Sequence, residues 1–216
     1  MSANKPEFDS ARLLPLTVVR PQLTPRALNR RFKRRPERTL VGQPLAYLNV
    51  QVDGRESSYF EWLGAGFYSA DRHSNAQDAR SQILHELLYG FSEHFFYLRV
   101  DAFPELFARL RNSEFRITLR GSEELRLAVL VEEGRLVGCL LDTNDVCILG
   151  PHALVEVAFD RILEVAIGRR LFRLAGQTSL MLDVALWRDG LPVDFLPPGV
   201  SLEVKLGTDA FAWSTQ

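Results

Sequence analysis

From residue 39 onward the chain is written mostly in short apolar runs closed by turn signals, a pattern that admits few folds other than a β-sandwich. LRLAVLV (125–131) and RLVGCLL (135–141) flank Glu-Glu-Gly and read as a hairpin. SLMLDVALW (179–187) and VSLEVKL (200–206) alternate with a period of two, and Asp189-Gly190 and Pro197-Pro198-Gly199 punctuate the chain between them. FFYLRVD (95–101) and FRITLRG (115–121) are further strands. One stretch, FPELFARLRN (103–112), is helical: Phe103, Leu106, Phe107 and Leu110 share a face, and Asp101 is the expected N-cap. The pattern predicts an all-β, two-sheet antiparallel sandwich of about ten strands over residues 39–216, with that one short helix at an end.

The remaining segment, residues 1–38, is a basic N-terminal arm. It carries ten Lys and Arg against Glu7, Asp9 and Glu37, a charge of +7, so with −1 for the whole chain the rest carries −8. PRALNRRFKRRPER concentrates seven basic residues in fourteen, but only Leu28 and Phe32 space like a helix face and no aromatic stack accompanies them. A solvated arm or linker is therefore expected, and a nucleic-acid interface is not. Apolar runs fall short of the roughly 20 residues that cross a bilayer, and the first residues lack an uncharged core like that of a secretory signal. A cytoplasmic protein without membrane contact is the expectation. Cys139 and Cys147 have no zinc-type spacing and are expected as small apolar residues in strands.

The stretch YFEWLGAGFY (59–68) concentrates five aromatic residues around one carboxylate. As an extended strand it directs Tyr59, Glu61, Leu63, Ala65 and Phe67 to one side and Phe60, Trp62, Gly64, Gly66 and Tyr68 to the other. A sugar offers an apolar CH face and a polar rim, so its sites pair a flat ring with hydrogen-bonding charged groups. Trp62 with Tyr68 supplies rings, while Glu61 and Arg99 supply the polar partners. The alternative is that Trp62 belongs to the core and Glu61 pairs with Arg99. Trp187, just before the Arg188-Asp189-Gly190 turn, is the second candidate for stacking on a sugar. Trp213, beside Phe211, suits the covering of a sheet edge better.

The words EWLGAG, LLYGF and YLRVD, with FDRILEVAIGRRLFRLAG (159–176) and VALWRDGLPVDFLPPGVSLEVKL (184–206), resemble the C-terminal β-sandwich region of family 57 glycoside hydrolases. That region is similar to the C-terminal domain of glucodextranase and to DOMON-like and family 9 carbohydrate-binding sandwiches. The resemblance spans roughly residues 40–206 and implies a non-catalytic accessory module for an α-glucan-acting enzyme, either encoded alone or forming part of a split enzyme. The ligand it implies is an α-glucan or oligosaccharide, and the partner a catalytic glycoside hydrolase. A purely structural subunit that packs on such a partner without touching sugar is the alternative. The chain departs from the family pattern at Ala76-Gln77-Asp78, where a small residue followed by Met-His is usual, and it has no room for the catalytic barrel.

Other chemistry has weaker support. Glu61 with Glu86 has no context that marks a glycosidase pair, and Asp160 and Glu164 on one strand would stand about 13 Å apart, too far for one. His73, His85, His94 and His152 form no metal motif, and His85 in ILHEL lacks a second histidine at the HExxH spacing. Met181, in an alternating apolar strand, is no haem ligand, so no cofactor is expected. Asp142, Asn144 and Asp145 in LLDTNDV form a weak calcium candidate, without the glycine and distal glutamate of an EF-hand.

Overall fold

A computed structural model describes residues 41–70, 82–143, 146–149, 153–171 and 178–206. The chain divides into two units, residues 1–37 and 38–216, and the sandwich lies in the second. The basic arm, His73, Ala76-Gln77-Asp78, Asn144, Asp145, His152, Phe211 and Trp213 lie outside the described residues.

The fold is an all-β sandwich of two antiparallel sheets. In the first, the order is β1 (Val41–Gly42), β2 (Gly66–Ser69), β3 (Leu84–Phe91), β4 (Phe95–Ala102), β10 (Leu163–Gly168) and β9 (Val155–Phe159). The second runs β12 (Leu191–Leu196), β11 (Ser179–Arg188), β5 (Ser113–Arg120), β6 (Glu124–Glu132), β7 (Arg135–Thr143) and β8 (Val146–Leu149). A further strand, β13 (Leu202–Lys205), pairs with residues 179–182 of β11, while β12 pairs with residues 184–188, so the two share one flank of that long strand. Thirteen strands among the described residues exceed the ten expected because several, such as the two-residue β1 and the four-residue β8 and β13, are too short to show a period.

The predicted β6–β7 hairpin and the β11–β12 hairpin both close on two-residue turns with left-handed backbone at both positions: Glu133 and Gly134 at φ 50° and 80°, Asp189 and Gly190 at φ 51° and 75°. That conformation matches the right-handed twist of the flanking strands, and glycine at the second position adopts it without a Cβ clash. The helical stretch is a 3-10 segment, Pro104–Leu110, that carries the chain from the first sheet to the second. Its N-cap is Phe103, with no side-chain cap, because the Asp101 carboxylate instead takes the guanidinium of Arg99 at 2.7 Å.

Alternation places Phe115, Ile117 and Leu119 of β5, Leu125 to Val131 of β6 by twos, and Leu180 to Leu186 of β11 by twos against Tyr89, Phe96, Leu98 and Val165 of the first sheet. Each such side chain, fully withdrawn from water, contributes about 1.5–3 kcal/mol. Asp194 of β12 ties the layers at one edge: its Oδ2 accepts the backbone N–H of Ile83 at 2.6 Å and of Leu84 at 2.7 Å.

The first sheet is covered on its outer face too. All six residues of β10 are buried, the signature of a strand packed on both sides. The covering layer is the segment between β1 and β2, whose Leu48, Val50, Val52 and Trp62 form a second core with Phe95, Tyr97, Leu88 and Ala166.

Candidate functional site

The stretch YFEWLGAGFY does not form one extended strand. Residues 59–64 are consecutive turns, closed by bonds such as Glu61 N to Ser58 O and Ala65 N to Trp62 O, and strand begins only at Gly66. Gly64, at φ 87°, lets the chain reverse there. The two-sided division of this stretch is therefore replaced by a different placement. Trp62 is 9% exposed and turns into the second core, where its Nε1 donates to Glu164 Oε1 at 3.1 Å. Tyr68 faces the opposite way, into the space between the sheets, and burial pushes its hydroxyl pKa up.

Arg99 is likewise buried on the outer face of β4, in a fork–fork pair with Asp101 and 3.9 Å from Glu56. The expected Glu61–Arg99 pair is not made. Glu61 Oε2 is buried and has no hydrogen-bond partner among the described residues. Arg99 and Trp62 do share a small cavity of about 230 Å³ with Tyr59, Leu63 and Glu86. Desolvation there raises the pKa of Glu86. The ring of Trp62 is a wall of this cavity and not an open platform.

Glu164 explains the arrangement. It has no solvent exposure, and Oε2 accepts the N–H of Asp53 at 3.1 Å and of Gly54 at 3.0 Å while Oε1 accepts Trp62. Burial raises its pKa against these three stabilising bonds. Asp160 lies in the turn before β10, bound to Arg55 at 2.6 Å, so the two carboxylates do not share a strand. Their work is to hold the covering segment down.

The second sheet has a different outer face. Alternation turns Asp183, Ala185 and Trp187 of β11 outward, and Arg116, Thr118 and Arg120 of β5 beside them. Small residues in the middle, Ala185 and Thr118, lie between bulky flanks, which leaves an open groove of about 530 Å³ bounded by Trp187, Phe195, Arg116, Arg120, Asp183 and Val200. The Arg116 guanidinium lies 3.6 Å from the centre of the Trp187 ring, a cation–π contact, and donates to both carboxylate oxygens of Glu114 at 2.5 and 3.2 Å. Arg120 pairs with Asp183 and donates to Ser201 at 2.7 Å. Phe195 is 44% exposed. Trp187 sits at a β-bulge between β11 and β12, an irregularity that re-aims a side chain.

Of the sequence candidates, then, Trp62 and Arg99 meet on one sheet, Trp187 stands on the other, and Tyr68 lies between the two. Sequence reasoning missed Phe195, Arg116 and Asp183. The alternation of FRITLRG does set Arg116, Thr118 and Arg120 on one face, but which strand lies beside them is decided by long-range pairing. Asp142, on β7, has Arg126 Nη1 at 3.9 Å, a cation where a calcium ion would need more oxygen. No cluster of three His, Cys, Asp or Glu residues suited to a metal occurs among the described residues. His85 stands on β3 against the ring of Phe103, and Cys139, half-buried on β7, packs against the core with its thiol pKa raised by burial. No helix among the described residues is long and apolar enough to cross a membrane. No protein-family model, curated protein or solved structure matches this chain, so the likeness to the family 57 sandwich region is carried by its sequence motifs alone.

Proposed function

We propose that the chain is a non-catalytic module that binds α-glucan on the outer face of the second sheet and serves a catalytic glycoside hydrolase of the family 57 type. The observation that carries the reading is the outward indole of Trp187 beside the exposed ring of Phe195, over an open groove whose rim alternates guanidinium, carboxylate and hydroxyl groups. The exposed Phe195 ring and the part of the indole that Arg116 leaves uncovered accept the apolar face of a sugar, and Arg116, Asp183, Arg120 and Ser201 offer donors and acceptors to its hydroxyls. Calorimetric titration with maltooligosaccharides tests it. Trp187→Ala should lose about 2 kcal/mol of binding, a hot-spot loss, with the fold intact. Wild-type protein that binds no glucan would remove the reading.

The structural-subunit alternative has its own support. Leu45, Tyr47, Tyr59, Phe60 and Leu63 are all exposed on the covering segment of the first sheet. Clustered exposed apolar side chains of this kind fit a protein contact. Binding of a family 57 type catalytic chain that is abolished by Phe60→Ser and untouched by Trp187→Ala would favour it.

A further inference from the structure

The groove at Trp187 does not end at its ring. On the far side of the indole lies a second depression of about 210 Å³, bounded by Glu114, Leu130, Glu132, Arg188 and Asn112. A third, of about 500 Å³, continues past Asn112 and Glu132 to Arg135 and Val137. Trp187 is the wall shared by the first two, and Asn112 and Glu132 are the wall shared by the second and third. The three together pass over β12, β11, β5, β6 and β7 in their order in the sheet. At a strand spacing of roughly 4.8 Å that path is about 19 Å long. Arg188 also bounds the middle depression, and its Nη2 is buried with no hydrogen-bond partner among the described residues. A buried guanidinium N–H without a partner is costly, and a side-chain shift that brings it to the depression would let a ligand hydroxyl satisfy it.

We infer that these depressions are successive subsites of one trough that takes a linear oligosaccharide several residues long, with the Trp187 indole as the partition between the first two. The inference rests on the sugar-binding reading above and adds the class of ligand: an extended chain, not a single ring or a short end. A disaccharide fills the large depression at Phe195 alone. A longer chain crosses the indole and reaches Arg188 and then Glu132.

The test is calorimetric titration of the full chain with maltose, maltotriose and maltohexaose. Affinity should rise by about tenfold or more from maltose to maltohexaose, the scale of one added hydrogen bond to a charged group. Arg188→Ala and Glu132→Ala should each remove most of that gain and leave maltose binding unchanged. Glu132 is exposed on the rim, so its variant decides the matter even where Arg188→Ala does not fold. Equal affinity for maltose and maltohexaose, or a Glu132→Ala variant that keeps the full gain, overturns the trough while the sugar-binding reading stands. Absence of binding to every glucan overturns both.

Discussion

The indole N–H of Trp62 donates to the carboxylate of Glu164 at 3.1 Å, although the two residues are 102 positions apart in the chain. With the Asp53 and Gly54 bonds on the same carboxylate, this fastens the segment between β1 and β2 onto the outer face of the first sheet. Glu164→Ala leaves three N–H groups without their acceptor and should cost about 2–4 kcal/mol, measured by urea denaturation. Glu164→Gln keeps an acceptor oxygen and should cost less. Equal stability of Glu164→Ala and wild type would show that the segment needs no anchor.

The same carboxylate should make stability depend on pH. Burial raises the pKa of Glu164 from 4.5 and of Asp194 from 3.8. In the window between those ordinary values and the raised folded ones, the folded state holds more protons than the unfolded state. The two groups therefore favour folding as pH falls through that window, and their contribution is lost as pH rises through the folded values. Wild type should gain stability relative to a Glu164→Gln, Asp194→Asn double variant between neutral pH and about pH 4.5. A pH-independent difference would refute this.

Two tryptophans should answer differently to truncation. Trp62→Ala empties part of the second core and should cost about 3–5 kcal/mol of stability. Trp187→Ala loses one cation–π contact and half-buried area, and should cost about 1 kcal/mol. Thermal midpoints of both variants decide, and similar losses would contradict the placement of the two rings.

Glycines of the motifs should be less replaceable than those of the turns. A Cβ on Gly66 would stand 2.7 Å from the Tyr89 ring and from Pro44, and one on Gly90 would stand 2.5 Å from Leu48. Gly66→Ala and Gly90→Ala should lift the covering segment and lose several times more stability than Gly190→Ala. That last position has open space around it and bears only the backbone strain of its positive φ, about 1 kcal/mol. Equal midpoints for the three variants would show that these contacts yield freely.

The motifs EWLGAG, LLYGF and YLRVD thus acquire a physical meaning. Gly66 packs on Tyr89, Gly90 on Leu48, and Arg99 is neutralised by Asp101, all within the covering layer and the sheet beneath it. Their sequence record is a record of close packing. Nothing in the linear spacing shows this, because Glu164, the residue that joins Trp62 to Gly54, lies in the run LEVAIG where it looks like one polar residue in a buried strand.

The sequence by itself determined the all-β class, the hairpin around Glu133-Gly134, the turn at Asp189-Gly190, and the inward faces of β5, β6 and β11. These depend on a period of two and on backbone preferences confined to a few neighbouring residues. Only the tertiary structure decided that Trp62 is enclosed and Trp187 open. Side-chain alternation says which residues share a face but not what covers that face. A segment folded over the first sheet removes Trp62 from solvent, whereas the outer face of the second sheet keeps small Thr118 and Ala185 between Arg116, Trp187 and Phe195, and there the groove remains.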